Sequence, residues 1–156
     1  MVKAVYRAKE PGKNEWKFDQ ILNYDLGNGE SRVTLIEGFS IVHNEIRASF
    51  VTIDQNTLCM FTDLRDRTGN EIYEGDIVEC CSWNEHFSDS SGVMKPFIRK
   101  FVVVWFNGAF MLEERYYGTI LPPSHFEIHD STDLKVIGNI FDNEDLLNRD
   151  NGTDKD

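Results

Sequence analysis

The sequence predicts a mostly-β protein, a β-rich α+β fold, because short apolar runs alternate with turn signals along nearly the whole chain. Residues 101–106 are apolar at every position, which is typical of a strand buried on both faces. They are followed by Asn107-Gly108, a strong hairpin signal, since both central residues of a type I′ turn adopt positive φ. No stretch shows the long 3.6-residue period of an amphipathic helix.

The other strands are recognised as apolar runs that end at turn residues. A hairpin-like break lies at residues 10–14, and a polar turn lies at residues 66–70, where Gly69 is expected to adopt positive φ. Residues 84–96 are polar and contain Gly, Ser and Pro, so we expect a long loop there. Strands are predicted at residues 2–8, 16–22, 33–36, 46–53, 58–61, 72–73, 77–81, 109–112 and 134–140.

The C-terminal end has the signals of a short helix. Asn143 can cap it, and Glu144 and Asp145 place two acids in its first turn, where the helix dipole favours negative charge. The remaining residues, 148–156, are polar and acidic, so we expect a flexible tail.

The chain is acidic, but its charge is uneven. It has 156 residues with 27 Asp and Glu against 16 Lys and Arg, a formal charge of −11. Residues 1–50 contain seven acids and seven bases, so the whole excess of negative charge lies after them. This balance disfavours a protein that holds a bare phosphate backbone by charge alone.

Three features predict a cytoplasmic protein in a reducing compartment with no membrane partner. No apolar run approaches the roughly 18 residues of a spanning helix, and the first residues lack the apolar core of a signal peptide. The cysteines are odd in number, and Cys80 and Cys81 are adjacent. Neither a disulfide framework nor a zinc knuckle fits that spacing.

Residues 61–78 closely resemble the central signature of the YopX family, small proteins encoded by phages and prophages of bacteria. Residues 103–110 are similar to the family's second strand pair, and residues 136–147 to its C-terminal block. Residues 6–8 are similar to its opening Phe-Arg-Ala, so the resemblance extends from about residue 5 to residue 147.

The chain departs from the family pattern at several positions. The family commonly has Gly where this chain has Asp63, and Pro where it has Glu144. It often has Trp-Asp where this chain has Lys9-Glu10, and residues 19–57 match little of it.

The resemblance implies no particular chemical activity, because the family has no established biochemical activity that could be assigned to this chain. The signature residues are instead expected to support the fold. A Gly-Asp pair before an apolar strand, as in Gly75-Asp76, also recurs in small SH3-like barrels. We therefore expect an N-terminal β-rich lobe at residues 1–57, and an SH3-like, partly open barrel with a short terminal helix at 58–147. The motif residues given structural roles are Gly69, Tyr73, Glu74, Gly75, Asp76, Asn107, Gly108, Gly138, Asn139 and Asn143.

One basic and aromatic group is a candidate interaction surface. Such mixtures stack bases and neutralise phosphates of single-stranded nucleic acids. The alternative is that the aromatic residues are core and the bases decorate a loop edge. The candidate residues are Lys95, Arg99, Lys100, Trp83 and Phe97, with Phe101 and Trp105 nearby in sequence.

The sequence gives weaker support for a metal or catalytic site than for the basic and aromatic group. Several clustered carboxylates could hold Mg²⁺ or Mn²⁺ for hydrolysis, but turn and cap roles are the favoured explanation, because no second block of metal ligands occurs elsewhere in the sequence. In the extended segment that we expect there, His125 and His129 would lie about 13 Å apart, which is too far to chelate one ion. Cys59, Cys80 or Cys81 could supply a nucleophile, but a free cysteine is far more often a small buried apolar residue than a catalyst, so we expect no enzyme and no cofactor. The carboxylates are Asp63, Asp66, Glu71, Glu74 and Asp76.

The sequence therefore supports a non-enzymatic accessory protein of a phage or prophage that binds a host or phage protein and forms homo-oligomers. The alternative is a single-stranded nucleic-acid-binding SH3-like module, which the acidity of the chain disfavours. A metal-dependent hydrolase is a third hypothesis, and mimicry of DNA by the acidic surface is a minor variant of the first.

Overall fold

The computed structural model describes residues 6–28, 31–88, 94–116, 119–120, 124–125 and 133–147; for residues 24–25, 31, 81–88, 94–97, 116, 119–120 and 124–125, only the backbone is described. Strands make up most of the described chain, which confirms the predicted mostly-β class. Its strands form several antiparallel sheets, and none of those sheets closes into a barrel within the described residues. By contact density the chain divides into two compact units, Met1–Phe61 and Thr62–Asp156.

The first unit is built from antiparallel strands and one 3₁₀ turn, Gln55–Thr57. Strand β1 pairs with β2 across a turn in which Gly12 has φ of 73°. Strand β4 lies between β3 and β5 in a separate three-stranded sheet. The strands are β1 (Tyr6–Lys9), β2 (Trp16–Asp19), β3 (Ile21–Asp25), β4 (Ser31–Val42), β5 (Glu45–Thr52) and β6 (Cys59–Arg65), of which β6 continues into the second unit.

The core of the first unit is small. Ala8, Leu35 and Ile53 are buried, and partly buried apolar side chains from β3, β4 and β5 pack against them. Arg7 and Lys9 lie on one face of β1, and both contact the Trp16 ring, at 4.6 and 5.1 Å from its centroid. The predicted single strand over residues 16–22 is instead two strands, because the chain leaves the β1 pairing after Asp19 and joins the β4 pairing at Ile21.

The second unit contains a five-stranded antiparallel sheet in the order β13-β10-β9-β8-β14. The chain reverses between β9 and β10 at Asn107-Gly108, whose φ values of 51° and 82° confirm the predicted hairpin. The strands are β7 (Glu71–Tyr73), β8 (Asp76–Ser88), β9 (Met94–Phe106), β10 (Ala109–Glu113), β11 (Arg115–Tyr116), β12 (Thr119–Ile120), β13 (Ser124–His125) and β14 (Leu134–Asn139).

The prediction of a long loop over residues 84–96 was wrong for most of that segment. Strand β8 extends to Ser88 and β9 begins at Met94, with a register shift between Ser82 and Phe87. Main-chain hydrogen bonds hold a two-stranded ribbon whatever its side chains are, so a polar composition does not prevent pairing.

The core of the second unit lies on β8, β9 and their neighbours. Its buried residues are Ile72, Val78, Phe101, Val103, Leu112 and Leu134. Burial on both faces, predicted for residues 101–106, holds for the first three. Trp105 and Phe106 are each 46% exposed, because β9 runs on past this core. At the predicted C-terminal helix the structure has a 3₁₀ turn, Glu144–Leu147, with Glu144 and Asp145 in its first turn.

Asp63 has an unusual backbone for a residue within a strand. Its φ is 68°, in the left-handed region that glycine adopts at little cost. The hydroxyl of Thr62 accepts from the Leu64 N–H at 3.2 Å and donates to the Ile72 carbonyl at 2.7 Å, which bridges the irregularity. The glycine common in the family at this position therefore suits the backbone here.

We predict that Asp63→Gly keeps the free energy of unfolding within about 0.5 kcal/mol of the parent, whereas Asp63→Val lowers it by about 1–2 kcal/mol. A β-branched residue resists positive φ, and glycine does not. Urea denaturation of both variants measures the difference. Equal stabilities would show that residue 63 is not held in the left-handed region.

Candidate functional site

The resemblance to a known family centres on residues 61–78 and 136–147, and the structure brings parts of both segments together around Asp66. This carboxylate is 5% exposed. Its Oδ1 accepts from the N–H groups of Thr68 at 2.8 Å and Asn70 at 2.9 Å. Its Oδ2 accepts from the N–H of Val136 at 2.9 Å. One side chain thus closes the polar turn and fixes it to β14.

The environment of Asp66 strongly favours its charged form. Burial acts to raise its pKa, but hydrogen bonds from the Val136, Asn70 and Thr68 N–H groups and the Thr68 hydroxyl outweigh it and lower the pKa to about 2. The Arg67 N–H also donates to the Leu134 carbonyl at 3.0 Å, so the turn and β14 are joined at two points.

The turn between β7 and β8 is the second part of this cluster. The buried Asp76 accepts from the Tyr73 N–H at 2.8 Å, and Gly75 between them has φ of 78°. Gly75 donates its N–H to the Val103 carbonyl at 2.8 Å and accepts from the Ile140 N–H at 2.9 Å. The motif glycine and aspartate therefore link β7, β9 and the end of β14.

Glu71 and Tyr73 belong to the same network. The Tyr73 hydroxyl donates to Glu71 Oε2 at 2.8 Å, and Arg65 Nη2 donates to Glu71 Oε1 at 2.6 Å. Tyr73 is fully buried, whereas Arg65 is exposed. This chain of contacts runs from the core to the surface, and the exposed ion pair adds little stability.

The C-terminal motif builds its own loop. The Asn139 side-chain oxygen accepts from the N–H groups of Phe141 and Asp142, both at 3.0 Å. The Asn139 N–H in turn donates to the side-chain oxygen of Asn143 at 3.3 Å. A Cβ atom on Gly138 would lie 2.6 Å from that oxygen, so the close approach requires glycine.

The predicted basic and aromatic group is described only in part. Arg99 makes a two-point ion pair with Glu114, with Nε 3.1 Å from Oε1, and its guanidinium lies 5.1 Å from the Phe101 ring centroid. Lys100 donates to the Leu146 carbonyl at 2.9 Å. Adjacent residues on a strand project to opposite faces, so Arg99 and Lys100 do not share one surface.

The side chains of Trp83, Lys95 and Phe97 fall outside the described residues. Nucleic-acid binding by the whole group therefore stays a prediction.

The structure describes some of the candidate metal ligands and nucleophiles. Across the described ranges, no group of three or more His, Cys, Asp or Glu could hold a metal ion. The Cys59 thiol is buried and donates to the Thr57 carbonyl at 3.3 Å. The side chain of Cys81 and those of His86, His125 and His129 lie outside the described residues.

Two features were missed from the sequence. The sequence contains no signal for the hydrogen bond from Val136 to Asp66, because its donor is a backbone N–H, which every residue except proline carries. The exposed apolar face of β4 and β5 left a signal in the alternation of Ile46, Ala48 and Phe50 with polar residues. That alternation predicted a strand but not which of its faces meets solvent.

The fold and this cluster define a class: a two-unit, mostly-β protein whose signature residues make internal hydrogen bonds. The family model for YopX protein matches residues 5–148. The chain belongs to the YopX family, as the sequence resemblance indicated.

The crystal structure of protein EF1440 from Enterococcus faecalis has a similar fold. The TM-score is 0.53 at 18% sequence identity, and the alignment covers 94% of this chain and 99% of that chain. No curated protein sequence matches the chain. Within the described ranges, no helix has the length and apolar character of a membrane-spanning segment.

The lowered pKa of Asp66 predicts a specific dependence of stability on pH. The ordinary pKa of this carboxyl is 3.8 and its pKa in the folded protein is about 2. The ionised side chain therefore contributes to the free energy of unfolding above about pH 4, and this contribution is lost as the pH falls through about 2. The shift corresponds to about 2 kcal/mol. Asp66→Asn should lower the free energy of unfolding by at least about 2 kcal/mol at neutral pH, and the gap to the parent should narrow toward pH 2.

Urea denaturation of both proteins over this pH range measures the gap. Glu45→Gln, whose parent side chain is 72% exposed, is the control and should leave the parent's pH profile unchanged. A gap for Asp66→Asn that is constant down to pH 2 would contradict the assignment.

Proposed function

We propose that the protein is a phage- or prophage-encoded accessory protein of the bacterial cytoplasm that works by binding other proteins and copies of itself, without catalysing a reaction. The observation that carries this proposal is the exposure of large apolar side chains on strands in both units. Contiguous exposed apolar residues are typical of protein interaction surfaces. The residues are Phe39, Ile41, Ile46 and Phe50 in the first unit and Trp105 and Phe106 in the second.

The use of the motif carboxylates supports a structural rather than a chemical role. Asp66 and Asp76 are both buried and accept backbone hydrogen bonds. Backbone hydrogen bonds of this kind hold a buried carboxylate in place. They therefore contribute to the scaffold that presents the surfaces.

The charge of the second unit favours a basic partner there. Residues 62–156 contain 19 acids and nine bases, a net charge of −10, whereas residues 1–61 have a net charge of −1. Such a field raises the rate of encounter with a positively charged surface. We place the site for a host or phage protein on the second unit, near the exposed Phe106.

We also propose that residues 58–147 form the SH3-like, partly open barrel expected from the sequence. Register shifts between Ser82 and Phe87 on β8, and between Val136 and Gly138 on β14, support this. Bulges of this kind bend strands and increase their twist, as a curled sheet requires.

Single-stranded nucleic-acid binding is the alternative function. The partly exposed guanidinium of Arg99 favours it, because arginine planes can stack on bases. The ion pair of Arg99 with Glu114 opposes it, since that carboxylate already neutralises the cation.

The proposal predicts capture of proteins that survives nuclease. The immobilised full chain should retain a defined set of proteins from a bacterial lysate, with and without nuclease, and retention should fall as salt rises. Phe106→Ser should reduce retention about tenfold or more. Leu26→Ser, an apolar-to-polar change at an exposed residue of the first unit outside the proposed surfaces, should leave retention within about twofold of the parent.

Capture that disappears on nuclease treatment would contradict protein binding and support the alternative. Unchanged denaturation midpoints of both variants would show that the differences come from the surface and not from unfolding.

A further inference from the structure

We propose that two copies of this chain associate through one face of the β4–β5 hairpin. This rests on the self-association proposed above and names its surface. The apolar arm face, as we call it, consists of Phe39 and Ile41 on β4 and Ile46, Ala48 and Phe50 on β5.

The register of the hairpin places these side chains on one side. Phe39 is opposite Ala48, Ile41 is opposite Ile46, and Phe50 is opposite Ile36. Directly opposed residues of an antiparallel pair share a face, and residues two apart on a strand share it as well. The other face has Ser40 opposite Arg47 and Ser49 opposite Gly38, so it is polar.

This part of the hairpin extends beyond its own sheet. Strand β3 pairs with β4 only from Ser31 to Leu35, and the Ile36 N–H bonds to the Gln20 carbonyl, so residues 37–49 form a two-stranded ribbon among the described strands. The ribbon turns at His43-Asn44, whose φ values of 52° and 63° are those of a type I′ hairpin. A two-stranded ribbon is marginally stable alone, so it gains from a surface that covers its apolar face.

The apolar arm face is open to solvent. Phe39 is 70% exposed, Ile41 and Ile46 are each 76% exposed, and Phe50 is 49% exposed. With about 150–250 Å² for a whole aromatic side chain, the exposed apolar area is on the order of 500 Å². Monomeric proteins seldom expose a patch of that size without using it.

The charge of the hairpin identifies the occupant as a second copy. Residues 31–52 contain two acids and two bases and have no net charge, although the chain as a whole carries −11. At the tip Glu45 and Arg47 pair with each other at 3.5 Å. A partner attracted by acidity would bind the second unit, whereas a neutral apolar surface fits another neutral apolar surface.

Symmetry and area agree with this choice. A two-fold axis places the same patch on both partners, so the apolar face of one ribbon can pack on the same face of its copy. Two such faces would bury on the order of 1,000 Å², which is the lower limit for a specific interface. We therefore expect a reversible dimer.

Sedimentation velocity of the full chain over a range of concentrations tests the proposal. The parent should show reversible dimerisation. Ile41→Glu and, separately, Ile46→Glu should each weaken it by about a hundredfold or more, because an unpaired charge would be buried between the copies. Ser40→Glu adds the same charge on the opposite face of the same strand and should change the dissociation constant by less than about threefold.

The outcomes separate this inference from the broader proposal. If the parent associates and Ile41→Glu behaves like Ser40→Glu, the interface lies elsewhere; the inference fails while self-association stands. If the parent stays monomeric at every concentration, a second copy is not the occupant and the inference is overturned. In that case protein binding is judged by the capture experiment alone. Denaturation curves of the variants should match the parent, since the substituted residues are exposed.

Discussion

The fold of the second unit depends on the hydrogen bonds made to one buried carboxylate. Asp66 is charged and almost inaccessible to water, a placement that is costly unless its oxygens are satisfied. Donors from Thr68, Asn70 and Val136 satisfy them, and the Val136 contact joins positions 70 residues apart. The polar turn and β14 are therefore positioned together, and the Asp76 turn makes a second set of links to β9 and the end of β14.

The signature residues of the family make hydrogen bonds within the fold. Asp66, Asp76, Asn139 and Gly138 meet the geometric demands of tight turns and close backbone approaches. The exposed apolar residues that we propose for recognition lie elsewhere on the strands. A scaffold of this kind can keep its motifs while its surfaces change, which is how one fold serves many functions.

Local signals in the sequence predicted local structure well. Gly69 has φ of 90°, as its turn requires, and Asn107-Gly108 forms its hairpin, because both depend on the conformational freedom of nearby residues alone. The ribbon within residues 84–96 was missed because backbone pairing needs no apolar side chains. The pairing of Arg99 with Glu114 was missed too, since contacts between strands depend on register, which composition does not reveal.

Asp66 joins the motif turn to β14, and amide hydrogen exchange of the native protein tests this contact most directly. Protection reports the free energy of the opening that exposes each N–H group. The amides of Thr68, Asn70 and Val136 should exchange as slowly as the most protected amides of β8 and β9, through global unfolding. Fast exchange of these three amides, at the rate of exposed turns, would contradict it.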